Sequence, residues 1–523
     1  MVYFMATSKL KLLTALALVL ALCLSSVGAL ACTSIYVGSD LTADGSTIFA
    51  RSEDISNSYN KLFYVSPAGK HTAGEAYNGC YGFTYTFTHD SYAYTAFSDD
   101  NGSGVCPDCG GTHAHTPYEA GGTNEMGVTV SATETIGGTD AVYEADPYED
   151  AGIEEAEIVT VLLSEAATAR EGVELLLSIY DGAGCCGGSG LFIADQDETW
   201  YIENVTGHQY IAVKLSSSMV LSQPNMAIIG LIDLDDTENV IASENLIAVA
   251  QEAGSYVGDA EANTIDYVAS YCGDQEANSR MVSALAYFNA ETASDTPATS
   301  DYTISNVDAE GNIVPMYTNI TLDHAYSIED VVNYYRIDGI GSTRNLETHI
   351  FQIFAEDGVT DTVEWVAMDD AMYSPFVPYY PMLTTDTYAA YQLSTDEAAF
   401  TEEEPVDADV YYATTTTVRT EEGRETVEGF RALPENWAGS MYWTFDALSN
   451  LVEYGNLTDE QIAEVDAQVE AMQAQCYEAY ASLQSAVAEA ESDEAAAEAV
   501  TAVSADTAAA VHAAAVELVN SLK

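Results

Sequence analysis

One cysteine lies at the end of an export-type segment, and this position gives it a chemistry of its own. Residues 1–31 have a basic start, an apolar run over residues 12–24 and small residues in an A-x-A pattern that ends at Ala31. This pattern is typical of a secretory signal that is cleaved off, not of a membrane-spanning helix. Cleavage after Ala31 would make Cys32 the first residue. Its α-amine, with a reference pKa of about 8, could then activate its own thiol, with a pKa of about 8.5, as a nucleophile.

The position of Cys32 also fits two different classes of protein. In the first, Cys32 is an ordinary buried or disulfide-bonded cysteine, and its place near the junction is a coincidence. In the second, the thiol is lipidated and the chain is a surface-tethered binding protein without catalysis. A lipidation signal normally has Leu three residues before the cysteine, where this chain has Ala29. The residues that follow Cys32 favour the nucleophile.

The elements after Cys32 are predicted to bring a cation to its side chain. Residues 33–37 and 47–51 alternate as strands do, and an Asp-Gly turn lies between them. A hairpin of this kind returns Arg51 to the level of Cys32, where a permanent positive charge favours the thiolate. The chain has only eight arginines, so this one is not expected to be surface filler.

Two carboxylates follow this arginine in the same predicted strand. Glu53 and Asp54 lie two and three residues further on, within reach of an ammonium group such as the α-amine of Cys32. In the alternative interpretation, Arg51 pairs with Glu53 or Asp54 only to tie down the end of the strand.

Several motifs follow one another along the chain. They are Cys32-Thr33, Val37-Gly38, Asp44-Gly45-Ser46-Thr47, Arg51-Ser52-Glu53-Asp54, residues 123–135 (TNEMGVTVSATET), residues 191–214 (LFIADQDETWYIENVTGHQYIAVK), Asn225 and residues 364–381 (EWVAMDDAMYSPFVPYYP). With these motifs the chain resembles the secernin-like cysteine dipeptidases of the N-terminal-nucleophile hydrolase superfamily, which also contains penicillin V acylases and bile salt hydrolases. The likeness covers most of residues 32–450.

The resemblance implies an α+β fold, an αββα sandwich in which two antiparallel sheets pack face to face between outer helices. The residues agree independently, because many short runs alternate as strands do and residues 153–182 have helical spacing. The expected organisation is an export signal over residues 1–31, a catalytic domain over residues 32–456 and a helical, Ala-rich C-terminal extension over residues 457–523. A Cys-, Tyr- and Gly-rich insertion at about residues 81–122 is expected to be a lid or a substrate-selecting loop.

The resemblance also implies roles for individual groups in catalysis. Cys32 would attack the peptide carbonyl, and its α-amine would carry the thiol proton to the leaving amine. Asn225 would donate its side-chain amide to the oxyanion, together with a backbone N–H near Thr133 and Glu134.

Charged side chains complete the predicted catalytic set. Asp54 would hold the ammonium of Cys32 or of the substrate, and Arg51 would polarise the thiol. Arg344 resembles the family's distal arginine, which steadies the nucleophile and the substrate. Arg336 opens a stretch that departs from the family's Arg-Asp-His-Tyr-Glu-Gly-Thr pattern. A role at the surface or at a sheet edge is the alternative for both Arg336 and Arg344.

The insertion holds a second group of reactive side chains. Cys106 and Cys109 form a C-x-x-C pair, and His113 and His115 follow it. These four residues have the types that bind zinc, but one C-x-x-C is half of a zinc ribbon, and a partner such as Cys80 must be supplied from elsewhere in the fold. In an oxidising compartment a disulfide is the preferred interpretation of the pair, and reduced loop thiols are the third.

The charge balance and the missing motifs narrow the range of partners. The chain has 14 Lys and Arg against 83 Asp and Glu, a formal net charge of −69. Because phosphate binding needs clustered cations, neither nucleic acid nor an anionic membrane surface is expected as a partner. No G-x-S-x-G, H-E-x-x-H or P-loop pattern occurs, and no cofactor is expected. No stable membrane span is expected after the signal, and a homo-oligomer through the Ala-rich tail stays open.

The sequence therefore predicts a secreted or cell-surface cysteine dipeptidase that hydrolyses short peptides through an acyl-enzyme on Cys32. The alternative among enzymes is an acylase or amidohydrolase that cleaves N-acyl or other non-peptide amides. A pocket that anchors an α-amine would favour the dipeptidase, whereas an apolar acyl pocket would favour the acylase. The alternative outside enzymes is the lipidated surface binding protein, which predicts added mass at Cys32.

Overall fold

The computed structural model describes residues 32–54, 60–79, 82–100, 118–273, 279–288, 325–355, 358–396, 398–420, 423–455 and 457–523. The predicted signal over residues 1–31 lies outside the described residues. So do Cys106, Cys109, His113 and His115, and the predictions made for them stay predictions.

The chain alternates between strands and helices, and the expected mixture of the two is confirmed. The strands are β1 Thr33–Val37, β2 Thr47–Asp54, β3 Lys61–Ser66, β4 Ala76–Asn78, β5 Thr84–Thr86, β6 Tyr94–Asp99, β7 Glu119–Thr123, β8 Thr129–Thr135, β9 Ser189–Ala194, β10 Thr199–Asn204, β11 Tyr210–Lys214, β12 Val220–Gln223, β13 Leu231–Asp233, β14 Val240–Ala242, β15 Gly258–Asp259, β16 Thr264–Asp266, β17 Asn345–Ile353, β18 Thr362–Met368, β19 Val377–Tyr379, β20 Ala399–Thr401, β21 Tyr411–Thr420 and β22 Gly423–Ala432. The helices are α1 Asp140–Ala145, α2 Glu155–Glu165, α3 Ala169–Gly182, α4 Leu246–Glu252, α5 Ser279–Phe288, α6 Ile328–Tyr335, α7 Met441–Tyr454, α8 Asp459–Glu489 and α9 Asp493–Leu522.

Two large sheets contain most of these strands. The first sheet has six strands in the order β12-β1-β2-β17-β18-β19, and the second has eight in the order β14-β11-β10-β9-β8-β7-β6-β3. Neighbouring strands in both sheets run antiparallel. The strands that follow Cys32 contribute to both sheets, because β1 and β2 belong to the first sheet and β3 belongs to the second.

The predicted hairpin after Cys32 is confirmed, and it lies in the middle of the first sheet. β1 and β2 pair antiparallel, with Thr33 opposite Ser52 and Ser34 opposite Arg51. Such a hairpin needs only local alternation and a turn, and Gly45 in the turn has a positive φ of 77° that favours glycine.

Aromatic side chains fill the space between the two sheets. Phe49 of β2 stacks on Phe192 of β9 with ring centroids 5.3 Å apart. Phe63 of β3 meets Tyr379 of β19 edge to face at 5.1 Å. Since one partner of each pair belongs to each sheet, the inner faces of the sheets pack against one another.

Helices cover the outer faces of both sheets. Buried side chains of α2 and α3 pack on the outer face of the second sheet. Side chains of α5, α6, α8 and α9 join those of β1, β2, β17 and β18 in a separate core on the outer face of the first sheet. One contact in that core is between Trp365 of β18 and Tyr480 of α8, whose ring centroids are 5.4 Å apart.

The predicted helical stretch over residues 153–182 is split into two helices. The side-chain amide of Asn124 donates to the carbonyls of Leu163 and Ala166 at 3.0 and 2.8 Å, which satisfies the end of α2. Thr168 then caps α3 by accepting from the N–H of Glu171. Helical spacing continues through the break, so periodicity alone does not reveal it.

The last helix, α9, is long and apolar enough to cross a membrane by length and composition. Its contacts are those of a helix packed on protein. The hydroxyl of Ser504 donates to the carbonyl of Pro378 at 2.8 Å. The ring of His512 lies between the hydroxyls of Tyr388 and Thr444, at 3.2 and 2.9 Å.

Candidate active site

The first hairpin places the thiol of Cys32 beside a buried guanidinium. Arg51 Nη2 donates to Cys32 Sγ at 3.4 Å, and the arginine side chain is only 1% exposed. Burial acts to lower the pKa of Arg51, but the charges of Cys32 and of nearby carboxylates raise it well above its ordinary value. A permanent cation therefore lies next to the sulfur, where it favours the thiolate.

The same guanidinium contacts three carboxylates. Arg51 Nη2 lies 3.4 Å from Glu155 Oε1 and 3.8 Å from Glu53 Oε2, and Nη1 lies 4.0 Å from Glu347 Oε1. Glu53 and Glu347 belong to the neighbouring strands β2 and β17, whereas Glu155 is the first residue of α2. Elements that are far apart in the sequence thus fix the arginine beside the sulfur.

A second buried cation joins this network to the second sheet. Lys61 of β3 donates to Glu53 Oε2 at 2.7 Å and to Asp99 Oδ1 at 2.6 Å. Burial alone would raise the pKa of Glu53, but Lys61 and then Arg51 lower it below its ordinary value. Glu53 is therefore ionised, and charge as well as apolar packing connects the two sheets at the site.

Asp54 occupies a different side of the site. Its Oδ2 lies 3.8 Å from Arg280 Nη1, and its Oδ1 accepts a hydrogen bond from the side-chain amide of Asn345. Burial raises the pKa of Asp54 to about 6, against the opposing effects of Arg280 and Asn345. The group is an anion at neutral pH and loses its charge as the pH falls through 6.

Arg280, which no sequence motif singles out, connects several parts of the site. Its Nη1 donates to the carbonyl oxygen of Cys32 and, at 2.9 Å, to the hydroxyl of Thr33. Its Nη2 donates to Asn225 Oδ1 at 2.9 Å. Because that bond occupies the amide oxygen of Asn225, it orients the amide group as a whole. Arg280 lies in α5, far in the sequence from all three of these partners.

A buried glutamate holds the loop that carries Asn225. Asn225 has a positive φ of 51°, a conformation that asparagine tolerates better than most residues. The N–H groups of Ile228 and Ile229 donate to Glu203 at 2.7 and 3.3 Å, and the hydroxyl of Tyr201 donates at 2.8 Å. Burial raises the pKa of Glu203 to about 7, and these hydrogen bonds oppose that rise. The carboxylate therefore fixes the turn just after the asparagine.

The backbone near Thr133 has an irregularity of the kind that accompanies active sites. In the pairing of β8 with β9, Ala132 is opposite Leu191 and Glu134 is opposite Gly190, so Thr133 is an extra residue in a β-bulge. A bulge takes one residue out of the regular hydrogen-bond ladder. The predicted backbone donor at Thr133 and Glu134 thus lies where the ladder is interrupted.

Arg344, the predicted distal arginine, lies in a more exposed position than Arg280. Arg344 is exposed, and its charge is the last of the effects that lower the pKa of Asp54. Arg344 immediately precedes β17, whose first residue, Asn345, donates its side-chain amide to Asp54. The role predicted for Arg344 stays a prediction, and the contacts of Arg280 make it a second candidate for that role.

Arg336 has a structural environment at the end of α6. Its Nε donates to the carbonyl of Ala371 at 3.1 Å, and its Nη2 donates to Gln473 Oε1 of α8 at 3.2 Å. Gln473 Oε1 also accepts from the N–H of Phe376 at 2.9 Å. These bonds tie α8 to the loop after β18.

The described part of the chain contains no group of three or more His, Cys, Asp or Glu residues that could hold a metal ion. The zinc candidates of the insertion lie outside the described part of the chain, and zinc binding by them stays a prediction.

Comparison with known proteins gives the family. The sequence model of peptidase family C69 matches residues 31–420. This chain belongs to peptidase family C69. The C69 chain is 31% identical over 402 residues to the probable dipeptidase B of Streptococcus pyogenes serotype M18 (strain MGAS8232), covering 69% of this chain and 74% of that protein. It is 35% identical over 228 residues to a probable dipeptidase of Salmonella dublin, covering 43% and 50%.

Among solved structures, the C69 chain has a weak likeness to the penicillin V acylase of Agrobacterium tumefaciens. The identity is 15% and the TM-score 0.31, over 66% of this chain and 85% of that one. A likeness at this level does not establish a shared fold. The family match and the relatives confirm the predicted family, and with it a hydrolase of the peptidase type.

Proposed function

We propose that this C69 hydrolase is an exported cysteine dipeptidase with the αββα fold of N-terminal-nucleophile hydrolases, in which removal of residues 1–31 exposes Cys32. The observation that carries the proposal is the placement of Cys32 between two arginines. Arg51 lies 3.4 Å from its sulfur, and Arg280 joins its carbonyl oxygen to Asn225. One cation is thus placed to stabilise the thiolate, and the other to set the oxyanion donor.

The reaction follows from these positions. The proton of the Cys32 thiol passes to the α-amine of the same residue, and the sulfur forms a bond to the peptide carbonyl carbon while the carbonyl electrons move to oxygen. The carbon–nitrogen bond then breaks, and the ammonium proton goes to the leaving amine. Water attacks the resulting thioester, the carbon–sulfur bond breaks, and the thiol is regenerated with release of the first amino acid.

Four groups support the charges that develop during this reaction. The side-chain amide of Asn225 and a backbone N–H at the Thr133 bulge donate to the oxyanion. The proposal gives Asp54, an anion above about pH 6, the role of holding the ammonium that forms on Cys32. The thiolate stage is stabilised by Arg51, whose charge is permanent.

The dipeptide as substrate rests on the relatives, and both relatives named above are described as probable dipeptidases. Export rests on the signal pattern of residues 1–31. Both parts of the proposal can be tested on one preparation, purified from a host that exports the protein.

The test combines N-terminal mass analysis with hydrolysis of alanyl-alanine. We expect a mature chain that begins with unmodified Cys32 and releases alanine. Cys32→Ala should lower this activity by about 10³-fold or more, because no second nucleophile shares the described part of the site. Cys186→Ser is the matched control, since Cys186 is a half-buried cysteine in another loop. A diacylglyceryl group on Cys32, or full activity of Cys32→Ala, would contradict the proposal. Cleavage of N-acyl amides with no cleavage of dipeptides would favour the acylase alternative.

A further inference from the structure

A carboxylate lies close to the sulfur on the side opposite to Asp54. Glu155 is the first residue of α2, and the capping box formed by Glu154 and Glu157 fixes the start of that helix. The backbone N–H groups of a first helical turn favour a negative charge. Glu155 therefore has a fixed position, and it contacts Arg51 and Tyr118.

The distances bring Glu155 within reach of a substrate bound at Cys32. Arg51 Nη2 lies 3.4 Å from both Cys32 Sγ and Glu155 Oε1, so these two atoms are at most 6.8 Å apart, twice that distance. The side chain of Glu155 is 20% exposed, whereas that of Asp54 is 5% exposed. Of the two carboxylates, Glu155 is the one that a ligand can reach from solvent.

A dipeptide has the dimensions to span this interval. Its α-amine nitrogen lies about 2.5 Å from the scissile carbonyl carbon. The attacking sulfur approaches that carbon at about 3–3.5 Å, and an ammonium–carboxylate contact adds about 2.8 Å. Together these lengths exceed 6.8 Å, so the amine can bind Glu155 while the carbonyl stands before the sulfur.

The charges around the site also suit an added cation. The described carboxylates joined by the contacts above are Glu53, Asp54, Asp99, Glu155 and Glu347, and the cations are Arg51, Lys61 and Arg280. Negative groups thus outnumber positive ones in this described network. The ammonium of the mature Cys32 and a substrate ammonium would each offset part of this excess.

We infer that Glu155 binds the α-ammonium of the substrate and thereby restricts the enzyme to peptides with a free N-terminus. A carboxylate has about four lone-pair sites, so Glu155 can accept from an ammonium in addition to Arg51 and the hydroxyl of Tyr118. Tyr118, which immediately precedes β7, orients the carboxylate through that hydrogen bond. This inference rests on the proposed function, because it names the group by which that active site selects its substrate.

Two substrates that differ only at the amine test the inference. Alanyl-alanine and propionyl-alanine have the same scissile amide, but propionyl-alanine has a hydrogen atom in place of the ammonium group. The wild-type protein should hydrolyse alanyl-alanine with at least 10-fold higher kcat/KM, because a hydrogen bond to a charged group contributes about 1.5–3 kcal/mol. Glu155→Gln should lose about 10- to 100-fold on alanyl-alanine and change by less than about threefold on propionyl-alanine.

Two controls separate amine binding from an indirect effect through Arg51. The rate at which iodoacetamide alkylates Cys32 should be the same, within about threefold, in Glu155→Gln and in the wild type. Asp150→Asn, which removes an exposed acid from the loop before α2, should leave both substrates unaffected.

Each other result overturns the inference in a distinct way. Parallel losses on both substrates, with slower alkylation, would mean that Glu155 acts on the nucleophile through Arg51. Equal wild-type rates on the two substrates would remove the amine anchor but keep the cysteine hydrolase, and this comparison needs no variant to fold. A wild-type protein that cleaves neither substrate would contradict the proposed function itself, and the inference with it.

Discussion

Buried carboxylates are neutralised in two different ways in this protein. Next to Cys32, Lys61 and then Arg51 overcome the effect of burial and lower the pKa of Glu53. Near the end of β18, burial raises the pKa of Asp370 to about 7. Burial and the neighbouring acids raise the pKa of Asp369 well above its ordinary value. The first group keeps its charge with the help of cations, and the second gives it up by binding protons.

The difference shows where the chain places its few cations. The chain has only 14 Lys and Arg in 523 residues. One network around Cys32 contains three of them, Arg51, Lys61 and Arg280. The cations keep Glu53 ionised, whereas burial raises the pKa of Asp54, in the same network, to about 6. For Asp369 and Asp370, by contrast, a bound proton removes the charge of the buried carboxyl group.

Removal of a site cation should have the largest effect on stability. Lys61→Met leaves Glu53 and Asp99 buried without their shared partner, and we expect a loss of about 3–5 kcal/mol. Asp370→Asn is the matched substitution in the other group, and at pH 6 it should cost less than about 1 kcal/mol, because the aspartate is already largely protonated there. Thermal unfolding at pH 6 measures both, and equal losses would contradict the comparison.

The two arginines considered for the distal role should differ strongly in activity. Arg280→Met removes the bond that orients Asn225 and the cation beside Asp54, and we expect kcat/KM on alanyl-alanine to fall by about 100-fold or more. Arg344→Met takes the same charge from an exposed position and should change kcat/KM by less than about twofold. A larger loss for Arg344→Met than for Arg280→Met would reverse the assignment made from the contacts.

The smallest expected effect is a pH dependence of stability. Glu364 accepts from the hydroxyl of Thr95 at 2.6 Å, and burial raises the pKa of Glu364 from 4.5 to about 8. A raised folded-state pKa gives stability that is fully present below about pH 4.5 and is lost as the pH rises through about 8. The unfolding temperature should therefore fall by a few degrees between about pH 5 and 9, and less steeply in Glu364→Gln. An unfolding temperature that rises over this range, or an unchanged slope in the variant, would argue against a proton-bound acid at this position.

The parts of the site that lie close together in the sequence could be predicted from it. Alternation and an Asp-Gly turn predict the β1–β2 hairpin, and the hairpin brings Arg51 to Cys32 without help from the rest of the chain. Asp54 belongs to the same strand. These positions depend on local pairing, which a sequence pattern expresses directly.

The rest of the site depends on tertiary packing. Arg280 is 248 residues from Cys32, and Glu155 is 104 residues from Arg51. Neither lies in a motif that separates it from other charged residues on helices, and no local pattern distinguishes Arg280 from Arg344. The break between α2 and α3 also depends on tertiary packing, because Asn124, from the turn after β7, caps the end of α2.

The most direct test of the central claim is to trap the acyl-enzyme on two chains that differ by one residue at the N-terminus. One chain begins at Cys32 and the other at Ala31, and each is mixed with alanyl-alanine, quenched in acid and mapped by mass spectrometry. We expect an alanyl thioester on Cys32 only in the chain that begins there, because only that chain has the free α-amine to act as the base. Equal labelling of both chains, or turnover with the acyl group on another residue, would contradict the N-terminal nucleophile.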